Sequence, residues 1–156
     1  MILYHTSTVT IKHPDILHSR LHLDFGRGFY LTVLVGQAQR YGERFLRRDG
    51  QAFLNTYSLD ENIDGFTRKE FTAYDEQWLD YVTLCRKGLP HTAYDIIEGG
   101  IADDQVFNTI DLYFAGIYTK EQALNQLLYK KPNHQVCITS QPLLDRHLHF
   151  IESKPL

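Results

Sequence analysis

Cysteine is scarce in this sequence of 156 residues, where Cys85 and Cys137 are the whole complement. Two thiols are too few for a disulfide framework or a four-cysteine zinc site, so a reducing, cytoplasmic setting is the default expectation. Long apolar runs are also missing. The longest covers a few residues, far short of the roughly 20 needed to cross a bilayer, and no membrane segment is expected. The opening MILYHTS has neither the basic region nor the extended apolar region of a secretory leader. Basic charge is not in excess. Sixteen Lys and Arg against 19 Asp and Glu leave a net charge of −3, which excludes a global attraction to nucleic acid. No repeat, low-complexity tract or linker interrupts the chain.

What is present describes one folded domain over residues 1–156. Hydrophobic residues make up 43% and charged residues 22%, values that suggest neither disorder nor a membrane protein. Ten Tyr and nine Phe are too many to be functional singly, so each aromatic starts with a role in the core.

The pattern predicts strands at MILYH, FYLTVLV, AFLNTYSL, YDII, QVCIT and LHFIE. Helices are expected at PDILHSRL, with Pro14 in its first turn, and at QAQRYGERFLRR, closed by Asp49-Gly50. Others are expected at TAYDEQWLDYVTLCRK before Gly88, at QVFNTIDLYFAG after Asp103-Asp104, at KEQALNQLLYK and at PLLDRH. Thr119 and Gln122 form a capping-box signature for KEQALNQLLYK. Helices and strands in mixed order, without strict alternation, argue for an α+β fold.

The stretch HLDFGRGFYLT raises a sharper question. A Gly-Arg-Gly turn is costly in backbone entropy, and an aromatic strand follows it at once. A tight turn entering a core strand would explain it. Read beside Tyr4-His5-Thr6-Ser7, however, Gly26-Arg27-Gly28-Phe29-Tyr30-Leu31-Thr32 resembles the second motif of the histidine–tyrosine ADP-ribosyltransferases, the group that includes the poly(ADP-ribose) polymerases. The first motif of that group is a strand ending Tyr/Trp-His-Gly-Ser. A second tyrosine follows eleven residues after the first on a helix, and Tyr41 stands there. Over nearly the whole chain the sequence is similar to a family of short bacterial proteins expected to share that fold; YDIIEGGIADD and NHQVCIT are its corresponding stretches here.

The resemblance implies two small packed β-sheets around an NAD cleft, with flanking helices. It implies that Tyr30 and Tyr41 clamp the nicotinamide ring. His5 would bond the adenosine-side ribose, the Thr6 backbone beside Ser7 would hold the nicotinamide amide through its N–H and C=O, and Gly26 and Gly28 would admit the dinucleotide. Arg27 would lie near the diphosphate. The implied reaction is transfer of one ADP-ribose from NAD to a protein or nucleic-acid acceptor. A bacterial toxin of a toxin–antitoxin or phage-defence pair, with an antitoxin partner, is the setting such proteins suggest. NAD hydrolysis and a catalytically inactive NAD-binding module are the rival readings.

The third position departs from the pattern. Many such transferases carry a glutamate there, whereas Gln135 occupies it here, with His134 one residue away as the alternative. A neutral amide can orient a ribose hydroxyl but gives no charge to a developing cation, a loss of the order of 10²–10³ in rate. From the sequence, Gln135→Glu is therefore expected to speed nicotinamide release by about tenfold or more at nearly unchanged NAD affinity. Asp103 and Asp104 are expected as helix caps, with Asp104 a further pocket candidate. Asp24 is expected to hold the glycine turn through backbone N–H groups. Arg40, Arg44, Arg47 and Arg48 share a helix face that either is simply solvated or grips phosphates. His18 and His22 have the i, i+4 spacing of a zinc pair but lack a third ligand, so no metal is expected.

Overall fold

A computed structural model describes residues 1–128 and 133–156. Among these, seven strands and five helices form two antiparallel-rich sheets. The first sheet has the order β1 (Ile2–Ser7), β3 (Phe53–Leu59), β7 (Leu148–Pro155), with all pairs antiparallel. The second has the order β2 (Phe29–Leu31), β6 (Gln135–Ile138), β5 (Ile96–Gly99), β4 (Arg68–Glu70), and only β4 and β5 run parallel. A single bridge joins the sheets. Tyr4 N–H donates to the Thr32 carbonyl at 2.8 Å, and Thr32 N–H donates to the Tyr4 carbonyl at 3.0 Å.

Strand alternation divides the second sheet into two faces. Phe29, Leu31, Ile96, Val136 and Ile138 pack with Leu3, Tyr57 and Leu148 of the first sheet, so the space between the sheets is apolar core. Ile97 and Cys137 face the other way, where α2 (Glu76–Lys87), α3 (Asp104–Phe114) and α4 (Lys120–Leu127) cover them. Trp78, fully buried there, donates its indole N–H to the Gly100 carbonyl. Helix α1 (Val35–Asp49) turns its small residues Ala38 and Gly42 inward. Short α5 (Gln141–His147) places Leu143 and Leu144 at the inter-sheet core.

The mixed α+β expectation therefore holds, and the caps explain where several helices stop and start. Gly50 and Gly88 close α1 and α2 in the left-handed conformation, as their sequence positions suggested. Asp103 accepts from the Gln105 and Val106 N–H groups, and Thr119 with Gln122 forms the reciprocal capping box. The expected end of α4 at Tyr129 and Lys130 lies outside the described residues.

Two local expectations are corrected, and one strand has no sequence signal. PDILHSRL is not a helix. The Asp15 carboxylate takes the Leu17 and His18 N–H groups, a local turn that competes with a helical ladder. The His18 and His22 pair thereby loses its helical spacing. The strand expected over FYLTVLV stops at Leu31, because Thr32 crosses to Tyr4 and its hydroxyl accepts the Leu34 N–H that leads into α1. Nothing in the sequence marks strand β4, because its three charged residues show no apolar alternation. It lies at the sheet edge, where charge discourages further pairing.

The glycine turn has two structural causes. Gly26 has φ +79°, a conformation that a side chain disfavours. Gly28 lies against β6, where an added Cβ would sit 2.5 Å from Cys137 Sγ and 2.7 Å from the Ile138 carbonyl oxygen.

Candidate functional site at the joint of the two sheets

Strand β1 is an edge strand, and its register decides which backbone groups remain open. Met1, Leu3 and His5 direct their N–H and C=O groups toward β3, as the bond from Leu59 N–H to the Met1 carbonyl fixes. Tyr4 is directed the opposite way, to Thr32. Thr6, two residues on, shares that direction, and no described residue takes its N–H or C=O. Thr6 is nevertheless only 5% exposed, with its hydroxyl donating to the Ala38 carbonyl at 2.7 Å. An edge-strand donor and acceptor with no partner in the fold can pair with a ligand.

His5 adjoins this opening. Its ring lies 4.5 Å from that of Phe29, and its Nδ1 is 2.7 Å from the Tyr30 carbonyl. A carbonyl only accepts, so Nδ1 carries the proton. Burial lowers the His5 pKa, with the Tyr30 bond opposing in part, and the neutral ring keeps Nε2 as an acceptor. Two motifs 25 residues apart in sequence thus meet through one hydrogen bond.

This arrangement makes stability depend on the state of His5. A lowered folded pKa means that the unfolded chain binds this proton first, so the contribution is complete above pH ~6.5 and lost as pH falls toward the lowered value. His5→Phe keeps a ring against Phe29 but cannot titrate. Its urea midpoint should fall less between pH 7 and pH 5 than that of the wild type. Parallel pH profiles would remove His5 as the cause.

Tyr30 turns its ring to the helical face. Its hydroxyl donates to the Gly26 carbonyl at 2.6 Å and accepts from Phe25 N–H at 3.0 Å, closing the glycine turn from above. Burial, reinforced by Cys137, raises its pKa far beyond the ordinary phenol range, so it stays neutral. Tyr41 is elsewhere. It is 51% exposed on α1, with Phe45 and Arg44 as its ring neighbours, so the two rings of the expected clamp belong to different layers.

Gln135 shares the Tyr30 face, but its side chain is already engaged. It is 7% exposed and donates to Asp24 Oδ2 at 2.9 Å and to the Gly100 carbonyl at 3.0 Å. Asp24 also pairs with Arg86 and accepts from Ala102 N–H at 2.9 Å. The expectation that Asp24 braces the glycine turn is therefore corrected. It ties β6, α2 and the lead into α3 together, while the turn is closed by Gly26 N–H to Leu23 and by the Tyr30 hydroxyl.

The remaining sequence-derived residues are dispersed. Ser7 receives the Asn55 amide, and the exposed Arg27 donates to the Leu17 carbonyl at 2.8 Å. Asp104 is exposed in the first turn of α3. One acidic residue was missed. Glu98 is buried on β5, pairs with Arg68, and lies 3.6 Å from His134 Nε2. His134 first, with Arg68, holds its pKa below the ordinary range against the effect of burial. A cavity of about 370 Å³ adjoins Glu98 and His134, walled by Phe71 and Tyr74. Register pairs Glu98 with Val136, on the face opposite Gln135 and Tyr30, so Glu98 does not supply the carboxylate missing at Gln135. The described residues include no group of three His, Cys, Asp or Glu placed to hold a metal ion. Nor is any described helix long and apolar enough to cross a membrane.

Residues 1–150 match a family model described as a protein of unknown function, DUF3990, and the chain belongs to that family. No curated protein and no solved structure matches it.

Proposed function

We propose that this protein transfers a single ADP-ribose from NAD, its co-substrate, to a macromolecular acceptor and releases nicotinamide. The open N–H and C=O of Thr6 carry the reading. A primary carboxamide offers an acceptor and donors in one plane, and pairs with such an edge as an added strand would. The amide of nicotinamide is a group of this kind. His5 Nε2 stands beside it as an acceptor for a ribose hydroxyl. In the reaction the bond from ribose C1′ to the pyridinium nitrogen breaks, and its electron pair leaves with nicotinamide. A lone pair of the acceptor forms the new bond to C1′, and the acceptor's proton passes to water.

A second reading has its own support. The Gln135 amide brings no net charge and is held by Asp24 and Gly100, which favours an NAD-binding module with little catalysis. Incubation with NAD labelled in the adenosine half, in buffer and in cell lysate, separates the readings. Transfer puts the label on macromolecule, hydrolysis puts it in free ADP-ribose, and a binding module leaves NAD intact. Thr6→Pro removes an N–H that the β1–β3 ladder does not use, proline is tolerated at such edges, and Thr6→Val, which loses only the hydroxyl bond to Ala38, is its control. Thr6→Pro should weaken NAD binding by about two- to tenfold, the worth of one hydrogen bond. Unchanged affinity by calorimetry would remove the carboxamide site.

A further inference from the structure

Helix α1 carries an arginine surface that the NAD site does not use. Arg40, Arg44, Arg47 and Arg48 line a shallow, solvent-open depression on its outer side. Their spacing of four, three and one sets them along about 12 Å of helix axis. The chain as a whole has a net charge of −3, so this concentration of cations runs against the composition. Arg47 pairs with Glu43 and Arg48 with Asp49, but Arg40 and Arg44 have no acidic partner among the described residues. Two guanidinium groups are also positioned by rings. Arg44 lies 4.9 Å from the Tyr41 centroid, and Arg48 lies 5.4 Å from that of Phe45. Such contacts set cations and rings side by side along the helix. The helix itself is held firmly, because Ala38 and Gly42 pack inward and a Cβ on Gly42 would collide with Leu156 and Thr6.

We infer that this face binds single-stranded nucleic acid, with phosphates on Arg40, Arg44 and Arg47 and bases stacked on the Tyr41–Arg44 and Phe45–Arg48 planes. Arg40 and Arg44, which have no acidic partner among the described residues, and Arg47, whose solvent-exposed pair with Glu43 can open, answer the repeating negative charge of a phosphodiester backbone. Alternating flat cations and rings answer unpaired bases, which a duplex would keep stacked inside. An anionic membrane would answer the same cations, so vesicles are one arm of the test. The inference rests on the transferase reading only where it names the acceptor: the nucleic acid held on α1 would be what receives ADP-ribose.

Fluorescence anisotropy with labelled 20-nucleotide RNA and DNA single strands, a duplex of the same length, and vesicles containing phosphatidylserine tests the surface. Single strands should bind best, and the RNA and DNA arms identify which polymer is preferred. The logarithm of affinity should fall against the logarithm of salt with a slope of about −2, as three phosphate contacts on a single strand require. Arg40→Glu with Arg44→Glu should cost at least tenfold in affinity and flatten that slope, while leaving the urea midpoint and NAD binding unchanged. Absence of saturable binding at low salt, equal binding by the double variant, equal affinity for duplex, or preference for vesicles would each overturn the inference. Nicotinamide release measured on the same samples keeps the two proposals apart. Oligonucleotide binding without release defeats the transferase reading alone. Release with the label never entering nucleic acid defeats the acceptor assignment.

Discussion

Arg86→Met should destabilise the protein by about 3–5 kcal/mol, read as a large drop in the urea midpoint at unchanged slope. The Arg86 and Asp24 side chains are 12% and 7% exposed, so the pair lies almost entirely out of water. Once Arg86 is gone, Asp24 keeps the Ala102 N–H and the Gln135 amide but loses its only described counter-charge. Neutral donors do not replace that charge in a medium of low dielectric. Methionine fills much of the same length, so packing against Phe107, over which the guanidinium lies, is largely retained. The double variant Asp24→Asn with Arg86→Met should recover a substantial part of the loss, since it leaves no unpaired charge. Since the whole stability of such a domain is about 5–15 kcal/mol, the single variant stands near the edge of folding. A loss below about 1 kcal/mol would mean that water or another cation reaches Asp24, and the network would then not be the brace of this region.

The sequence made local features legible and left distant ones hidden, for a physical reason. Helix ends depend on residues three or four apart, so the Thr119–Gln122 box, Asp103, Gly50 and Gly88 could be read directly. Segment 14–21 misled because Pro14 and Ile16-Leu17 imitate a helix start, while Asp15 closes a tighter local turn. The site divides in the same way. His5, Thr6 and Tyr30 could be singled out, and β1 and β2 do bring His5 to Tyr30. The openness of Thr6, by contrast, depends on which strand lies on each side of β1, and no residue of the motif specifies that. The partners of Gln135 are more remote still: Asp24 is 111 residues away in the chain, and Arg86 reaches it across 62. Glu98 was passed over because β5 is buried on both faces and has no polar alternation to mark it.

Those remote partners reverse the outcome expected for Gln135→Glu. The sequence alone suggests that a carboxylate here would speed nicotinamide release by about tenfold or more. In the folded protein, the amide nitrogen it replaces donates 2.9 Å to Asp24 and 3.0 Å to the Gly100 carbonyl, so an ionised glutamate would set oxygen against oxygen at both contacts. Two hydrogen bonds would be lost and two carboxylates would share one buried site, a combination that costs about 3–5 kcal/mol when both are charged. The introduced carboxyl escapes only by keeping its proton, which it can donate to Asp24, so its folded pKa must rise above the unfolded value of about 4.3. A carboxyl whose pKa is raised on folding contributes its stability below the unfolded pKa and loses it as pH climbs through the folded one. The variant should therefore approach the wild type in urea midpoint near pH 4–5 and fall well behind it at pH 7, with nicotinamide release no faster than in the wild type. Gln135→Leu, which removes the donors without adding charge, should lack this pH dependence. If Gln135→Glu is instead as stable as the wild type at pH 7 and releases nicotinamide faster, the residue-135 side chain must swing away from Asp24 toward the Thr6 edge, and the buried network would not be its working position.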